Sequence, residues 1–152
     1  MKVISVVGTK KTGKTTLVTA LVKSLKQHGR VGTIKNMVGH PADRGDTRRH
    51  FEAGADTVIG LGDSQIKVTP RGTLESALVE LQEGGVDYVV VEGFKHSGLP
   101  KIVLGEIEAP NAIRELDISE LDEATIAELT ELVLGMEEYR SPSGSHRLNH
   151  SC

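Results

Sequence analysis

Gly8-Thr9-Lys10-Lys11-Thr12-Gly13-Lys14-Thr15, followed by Thr16, fits the pattern G-x-x-x-x-G-K-[ST], and the residues on either side give that pattern mechanical meaning. Before it runs Val3-Ile4-Ser5-Val6-Val7, a short apolar strand. After it Leu17, Val18, Leu21, Val22 and Leu25 recur at helical spacing. A glycine turn between a buried strand and an amphipathic helix gathers backbone N–H groups at the positive end of the helix dipole, where a polyphosphate is held. Gly8 and Gly13 let the backbone approach the phosphates without a Cβ in the way. In such a loop Lys14 reaches the β and γ phosphates, and the Thr15 hydroxyl ligates Mg²⁺.

Downstream, Val31-Gly32-Thr33-Ile34-Lys35 reads as a second strand, with His28-Gly29 as the stop of the first helix. Residues 36–46 carry Gly39, Pro41 and Gly45 with almost no apolar spacing, a long loop of the kind that serves function or mobility. Residues 46–55 predict a short helix with Asp46 as N-cap and Gly54 at its end. Thr57–Leu61 and Gln65–Thr69 are β-rich runs around Gly62-Asp63-Ser64 and predict a hairpin of open register. Leu74, Ala77, Leu78 and Leu81 mark a helix over 73–83, stopped by Gly84-Gly85. The run 86–91 is apolar enough for a central strand and ends in Glu92-Gly93. Short strands at 102–104 and 112–118 and a last helix marked by Ile126, Leu129, Leu132, Val133 and Met136 complete the pattern. The fold expected is a three-layer α/β sandwich of the P-loop NTPase class, its mostly parallel sheet having an antiparallel edge from the 57–69 hairpin. One nucleotide-binding domain is expected over residues 1–140. The polar stretch 141–152, with four serines, reads as a disordered or vector-derived tail.

With two Tyr, two Phe and no Trp among 152 residues, the core must rest on Val, Ile, Leu and Ala. The single cysteine, Cys152, allows no disulfide within the chain. Only five strand residues and one lysine precede the loop, too little for a signal peptide or a membrane span, so a cytoplasmic protein without membrane attachment is expected. The net charge of −3 hides an asymmetry. From Glu115 to Glu138 there are nine acidic residues and no basic ones, which leaves 18 basic against 12 acidic residues elsewhere. The basic excess accompanies the phosphate loop and favours a small anionic ligand. Dense basic clusters with aromatic platforms, which would argue for nucleic acid, are missing.

A phosphate loop alone binds; turnover also needs a carboxylate near the metal. Strand carboxyl ends line the ligand crevice of an open parallel sheet, so Glu92 is the candidate to bind Mg²⁺ or orient an attacking water. Asp46 has two roles open to it, metal sensing after the long loop or the helix N-cap. Arg44, Arg48 and Arg49 can hold a second anionic group or stand solvated. His40 and His50 have no partner at ligand spacing, Asp87 is at the wrong end of its strand for chemistry, and Lys95 and Lys101 flank a glycine-proline loop from which either can touch nucleotide or partner.

Taken in order, the phosphate loop, Ile34-Lys35, Gly45-Asp46-Thr47-Arg48-Arg49-His50 through Ala53-Gly54-Ala55, Val91-Glu92-Gly93-Phe94-Lys95-His96 and Pro100-Lys101-Ile102 make the chain resemble the MobB family of molybdopterin-guanine dinucleotide biosynthesis adaptors, over residues 2 to 105. That resemblance implies a GTP-binding, weakly GTP-hydrolysing homodimer. It would assist the guanylyltransferase that attaches GMP to molybdopterin, with molybdopterin itself a further candidate ligand. Gly13, Lys14 and Thr15 would take the phosphate and magnesium roles, and Glu92 the acidic strand-end role. Asn36 stands where many relatives have histidine, and no Asn-Lys-x-Asp is present, so guanine preference comes from the resemblance alone. Two other functions fit the residues: an ATP-dependent small-molecule kinase with Arg44, Arg48 and Arg49 as clamp, or a binding module without turnover.

Overall fold

The computed structural model describes residues 1–9, 11, 13–37, 45–70 and 72–142. Lys10, Thr12, most of the 36–46 loop with His40 and Arg44, and nearly all of the 141–152 tail lie outside them. The elements are β1 (Lys2–Gly8), α1 (Lys14–Leu25), β2 (Val31–Lys35), α2 (Asp46–Glu52), β3 (Val58–Leu61), β4 (Gln65–Val68), α3 (Leu74–Glu83), β5 (Tyr88–Glu92), β6 (Lys101–Leu104), β7 (Ala112–Leu116) and α4 (Glu123–Leu134). They form two compact units, one of residues 1–36 and 78–152, the other of residues 37–77.

In the first unit five strands pair in parallel, in the order β2-β5-β1-β6-β7. Alternation along the strands sorts their side chains. Ile4, Val6, Val90, Ile102 and Leu104 share one face with Leu17, Val18, Leu21 and Leu25 of α1 and Leu129 and Val133 of α4. The odd positions Val3, Val7, Val89, Val91 and Val103 are equally buried and point to the other face. On that face Leu81 of α3 rests against Gly32, where a Cβ would come within 3.0 Å of it. Burial on both faces explains why β1, apart from Ser5, and β5 read as nearly continuous apolar runs.

The strands are staggered. Val6 pairs with Glu92 at the end of β5, while Ser5 already pairs with Lys101 at the start of β6. The β5–β6 connection therefore crosses β1 without running back along the sheet. Behind α4 the chain returns to its beginning, with Lys2 Nζ donating to the Leu134 carbonyl and the Tyr139 N–H donating to the Met1 carbonyl at 2.8 Å.

The second unit holds the expected hairpin, in the register Val58↔Val68 to Leu61↔Gln65. Among the described residues it is a two-stranded antiparallel sheet of its own, and not, as expected, an edge of the five-stranded one, which is parallel throughout. Helix α2 corrects one cap and keeps the other. Gly45 is the N-cap and Asp46 lies inside the first turn, with no side-chain capping bond. At the far end Gly54, at φ +113°, closes the helix through N–H bonds from Gly54 to Phe51 and from Ala55 to His50. Gly29 does not end α1 by a left-handed turn. It is a point of close approach, since a Cβ there would meet Asp87 Oδ2 at 2.6 Å.

Candidate phosphate and magnesium site

Everything needed to read this site belongs to the first unit. Gly8 ends β1 beside Leu104, Lys11 turns into the left-handed region at φ +64°, and Gly13 follows at φ +90° as the N-cap of α1. Helix α1 starts at Lys14, and its first bonds include the Leu17 N–H donating to the Gly13 carbonyl at 3.0 Å. Thr15 and Thr16 stand in the first turn, where the remaining N–H groups point out of the helix end. Thr9 lies between strand and turn.

Thr15 is brought to the carboxylate predicted for it. Its Oγ1 donates to Glu92 Oε1 at 3.0 Å, across a sequence gap of 77 residues. The reason is register: Glu92 pairs with Val6 on one side and Lys35 on the other, so its side chain shares the α1 face. Octahedral Mg²⁺ with oxygen bonds of about 2.0–2.1 Å sets neighbouring ligand oxygens about 2.9 Å apart, so these two oxygens have a spacing the ion accepts. Lys14 makes no ion pair with a described residue.

Beside this pair a groove of about 400 Å³ runs between α1 and β2, walled by Thr15, Thr19, Lys23, Thr33, Lys35 and Glu92. Lys35 and Lys23 are the groove's cations. The sequence places Lys35 at a strand end but does not say which neighbour it joins; parallel pairing with Glu92 does.

Gly13 carries a second constraint that the loop pattern does not reveal. A Cβ there would fall 2.2 Å from Cδ1 of Ile118. Ile118 opens a 3-10 turn whose cap is reciprocal: the Ser119 N–H donates to Asp117 at 3.0 Å, and the Asp117 N–H donates to Glu120 at 2.6 Å. Hydrogen bonding from Ser119, its backbone N–H first, holds the Asp117 carboxyl below its ordinary value. The acidic carboxyl-terminal region thus packs against the glycine loop.

The remaining candidates have partners of their own or stand exposed. Asp46 belongs to the second unit, where it faces Arg49 at 3.6 Å, and Arg48 faces Glu52 at 3.3 Å. His50 is exposed on the same helix, and Asp87 accepts from the Arg30 N–H at 2.8 Å. Lys95 is exposed after the strand-end turn. Lys101 is no surface cation. It is fully buried, and its ammonium donates to the carbonyls of Ser97, Leu99 and Pro110, so it does not reach nucleotide or partner.

A glycine loop between β1 and α1, with a strand-end carboxylate hydrogen-bonded to the loop threonine, defines a protein of the P-loop α/β class. The family of molybdopterin guanine dinucleotide synthesis protein B, MobB, matches residues 3–127, and the chain belongs to that family. The match runs past β7 into α4, farther than residue 105, in keeping with the contact of Ile118 on Gly13. A relative from Methanocaldococcus jannaschii, bearing the name of a molybdopterin-guanine dinucleotide biosynthesis adapter protein, is 36% identical over 110 residues, 68% of this chain and 47% of the relative. The chain thus spans about half of that relative's length. The adapter protein of Haemophilus influenzae is 32% identical over 75% of this chain and 68% of its own. Among solved structures, a MobB homologue from Bacillus stearothermophilus superposes with a TM-score of 0.66 at 25% identity, covering 90% of this chain and all of that one.

Proposed function

We propose that this chain is a GTP-binding adaptor with slow GTPase activity, acting in the cytoplasm as a homodimer. Its partner is the guanylyltransferase that attaches GMP to molybdopterin. Membership of the MobB family and the adapter names of its relatives support the pathway. The hydrogen bond between Thr15 and Glu92 is the observation that carries the nucleotide reading, because it couples the loop helix to the carboxylate that turnover requires.

On this reading the N–H groups of residues 9–16 and Lys14 hold the polyphosphate, and Thr15 with Glu92 faces Mg²⁺. When bound there, held by Thr15 Oγ1 and Glu92, Mg²⁺ would supply neutralisation of the charge developing on the transferring phosphates. Glu92 accepts or orients the proton of the attacking water.

Lys14→Ala is expected to abolish nucleotide binding. Glu92→Ala is expected to keep binding and to slow hydrolysis by on the order of 100-fold, in a single-turnover assay on nucleotide-stripped protein. Binding by the Lys14 variant equal to wild type would overturn the assignment.

A further inference from the structure

Among the described residues, three buried side chains are polar, and two of them, Ser5 and Lys101, stand opposite one another in register on adjacent strands. Both point to the face of the sheet away from α1. There they meet the connection from β5 to β6, residues 93–100. Ser5 Oγ donates to the Gly93 carbonyl at 2.7 Å, holding the start of the connection. Lys101 Nζ donates to the carbonyls of Ser97, of Leu99 at 2.9 Å and of Pro110 at 2.7 Å, holding its end and joining it to the return between β6 and β7. Asn111 adds a bond from Nδ2 to the Gly98 carbonyl at 2.6 Å.

The connection begins with two residues in the left-handed region, Gly93 at φ +99° and Phe94 at φ +59°. For glycine this is free, but for phenylalanine it is strained, and it persists only where surroundings enforce it. The peptide between Glu92 and Gly93 is the first link of that turn. Its N–H donates to the Val6 carbonyl, and the Glu92 carbonyl accepts from the Asn36 N–H, both at 2.9 Å. Three carbonyls on one amine can be satisfied together only by an ammonium, which has three N–H bonds where the neutral amine has two. A buried charge so fully coordinated does the work of a bound cation.

We propose that Lys101 is a positioning residue for Glu92: its internal ammonium holds Ser97, whose N–H donates to the Phe94 carbonyl at 3.0 Å, and with the Ser5 bond to Gly93 this locks the strained Gly93-Phe94 turn and so fixes the backbone from which the Glu92 carboxylate reaches Thr15. The kinetic part of this inference rests on the nucleotide reading above; the structural part does not. Burial lowers the Lys101 pKa from its ordinary value, as removal from water requires.

The test pairs Lys101→Met, which keeps the side-chain volume and removes the donors, with the milder Asn111→Gly, which removes the neighbouring bond to the Gly98 carbonyl of the same connection and tolerates the positive φ of +56°. Hydrogen exchange on the purified full chain is read at the Gly93 amide and, as internal control, at Val89 and Val90. Single-turnover hydrolysis and nucleotide affinity are read in parallel. The expected result is exchange at Gly93 faster by tenfold or more with Val89 and Val90 unchanged, in Lys101→Met or, should that variant fail to fold, in Asn111→Gly. With it should come a similar fall in hydrolysis at unaltered affinity. Unchanged exchange at Gly93, or loss of protection spread evenly over β5, would overturn the proposal. If wild type neither binds nor hydrolyses nucleotide, the nucleotide reading fails while the exchange result still decides the role of Lys101. Normal hydrolysis beside faster Gly93 exchange would refute the positioning of Glu92.

Discussion

At the scale of single residues, Gly13 answers two demands at once. The loop needs its φ of +90°, and Ile118 occupies the space a side chain would fill. Gly13→Ala should therefore cost about 1–3 kcal/mol, mostly from left-handed strain, with a smaller overpacking part because Ile118 ends in a Cδ1 on a side chain 43% exposed. Adding Ile118→Ala should recover the overpacking part and leave the strain, a coupling measurable in a double-mutant cycle by urea unfolding. Strict additivity of the two changes would show that the contact does not matter. The phosphate-loop role of Gly13 is legible because the pattern is local in sequence. Its contact with Ile118 is not, since nothing in the chain pairs a loop glycine with an isoleucine more than a hundred residues later. Lys101 teaches the same point in reverse. A lysine beside a glycine-proline loop reads as a surface cation, and only the carbonyls folded around it make burial tolerable.

At the scale of elements, α4 depends on a cap that its apolar spacing does not advertise. Asp122 accepts from the Thr125 N–H at 2.7 Å, and that bond holds its carboxyl below the ordinary value. A depressed carboxyl pKa means stability that is present above the unfolded value and lost as pH falls through the folded one. Asp122→Ala should lower the melting temperature at neutral pH, and the gap to wild type should close as the pH is taken down through the acid range. A gap independent of pH would mean that the cap is not its source. Element types were legible wherever the period was clear, as in α1, α3 and β5. The first turn of α4 was missed because Asp122 and Glu123 precede its first apolar marker at Ile126. The hairpin's existence followed from its turn residues, but its attachment did not, since alternation cannot say which sheet a strand joins.

At the scale of the whole molecule, the hairpin is the part that asks for a partner. Ile59 and Leu61, 53% and 79% exposed, lie on one face of the ribbon, and Ile66, 65% exposed, pairs with Gly60 on the other. A two-stranded ribbon is marginal by itself, and on the homodimer proposed above its apolar side chains are the surface expected to be covered by the second copy. Leu61→Lys should turn a dimer into a monomer in sedimentation velocity. A wild type that stays monomeric at every concentration would remove the homodimer from the account. The proposed dimerisation and partner docking are not legible in local patterns, because each depends on surfaces that only association assembles.

The central claim is that this loop and carboxylate serve guanine nucleotide. Its most direct test is calorimetric titration of the nucleotide-stripped protein with GTP and then ATP, both with Mg²⁺, on wild type and Lys14→Ala. The account predicts a clear preference for GTP in wild type and no heat of binding in the variant. Preference for ATP, or binding that survives the loss of Lys14, would contradict it.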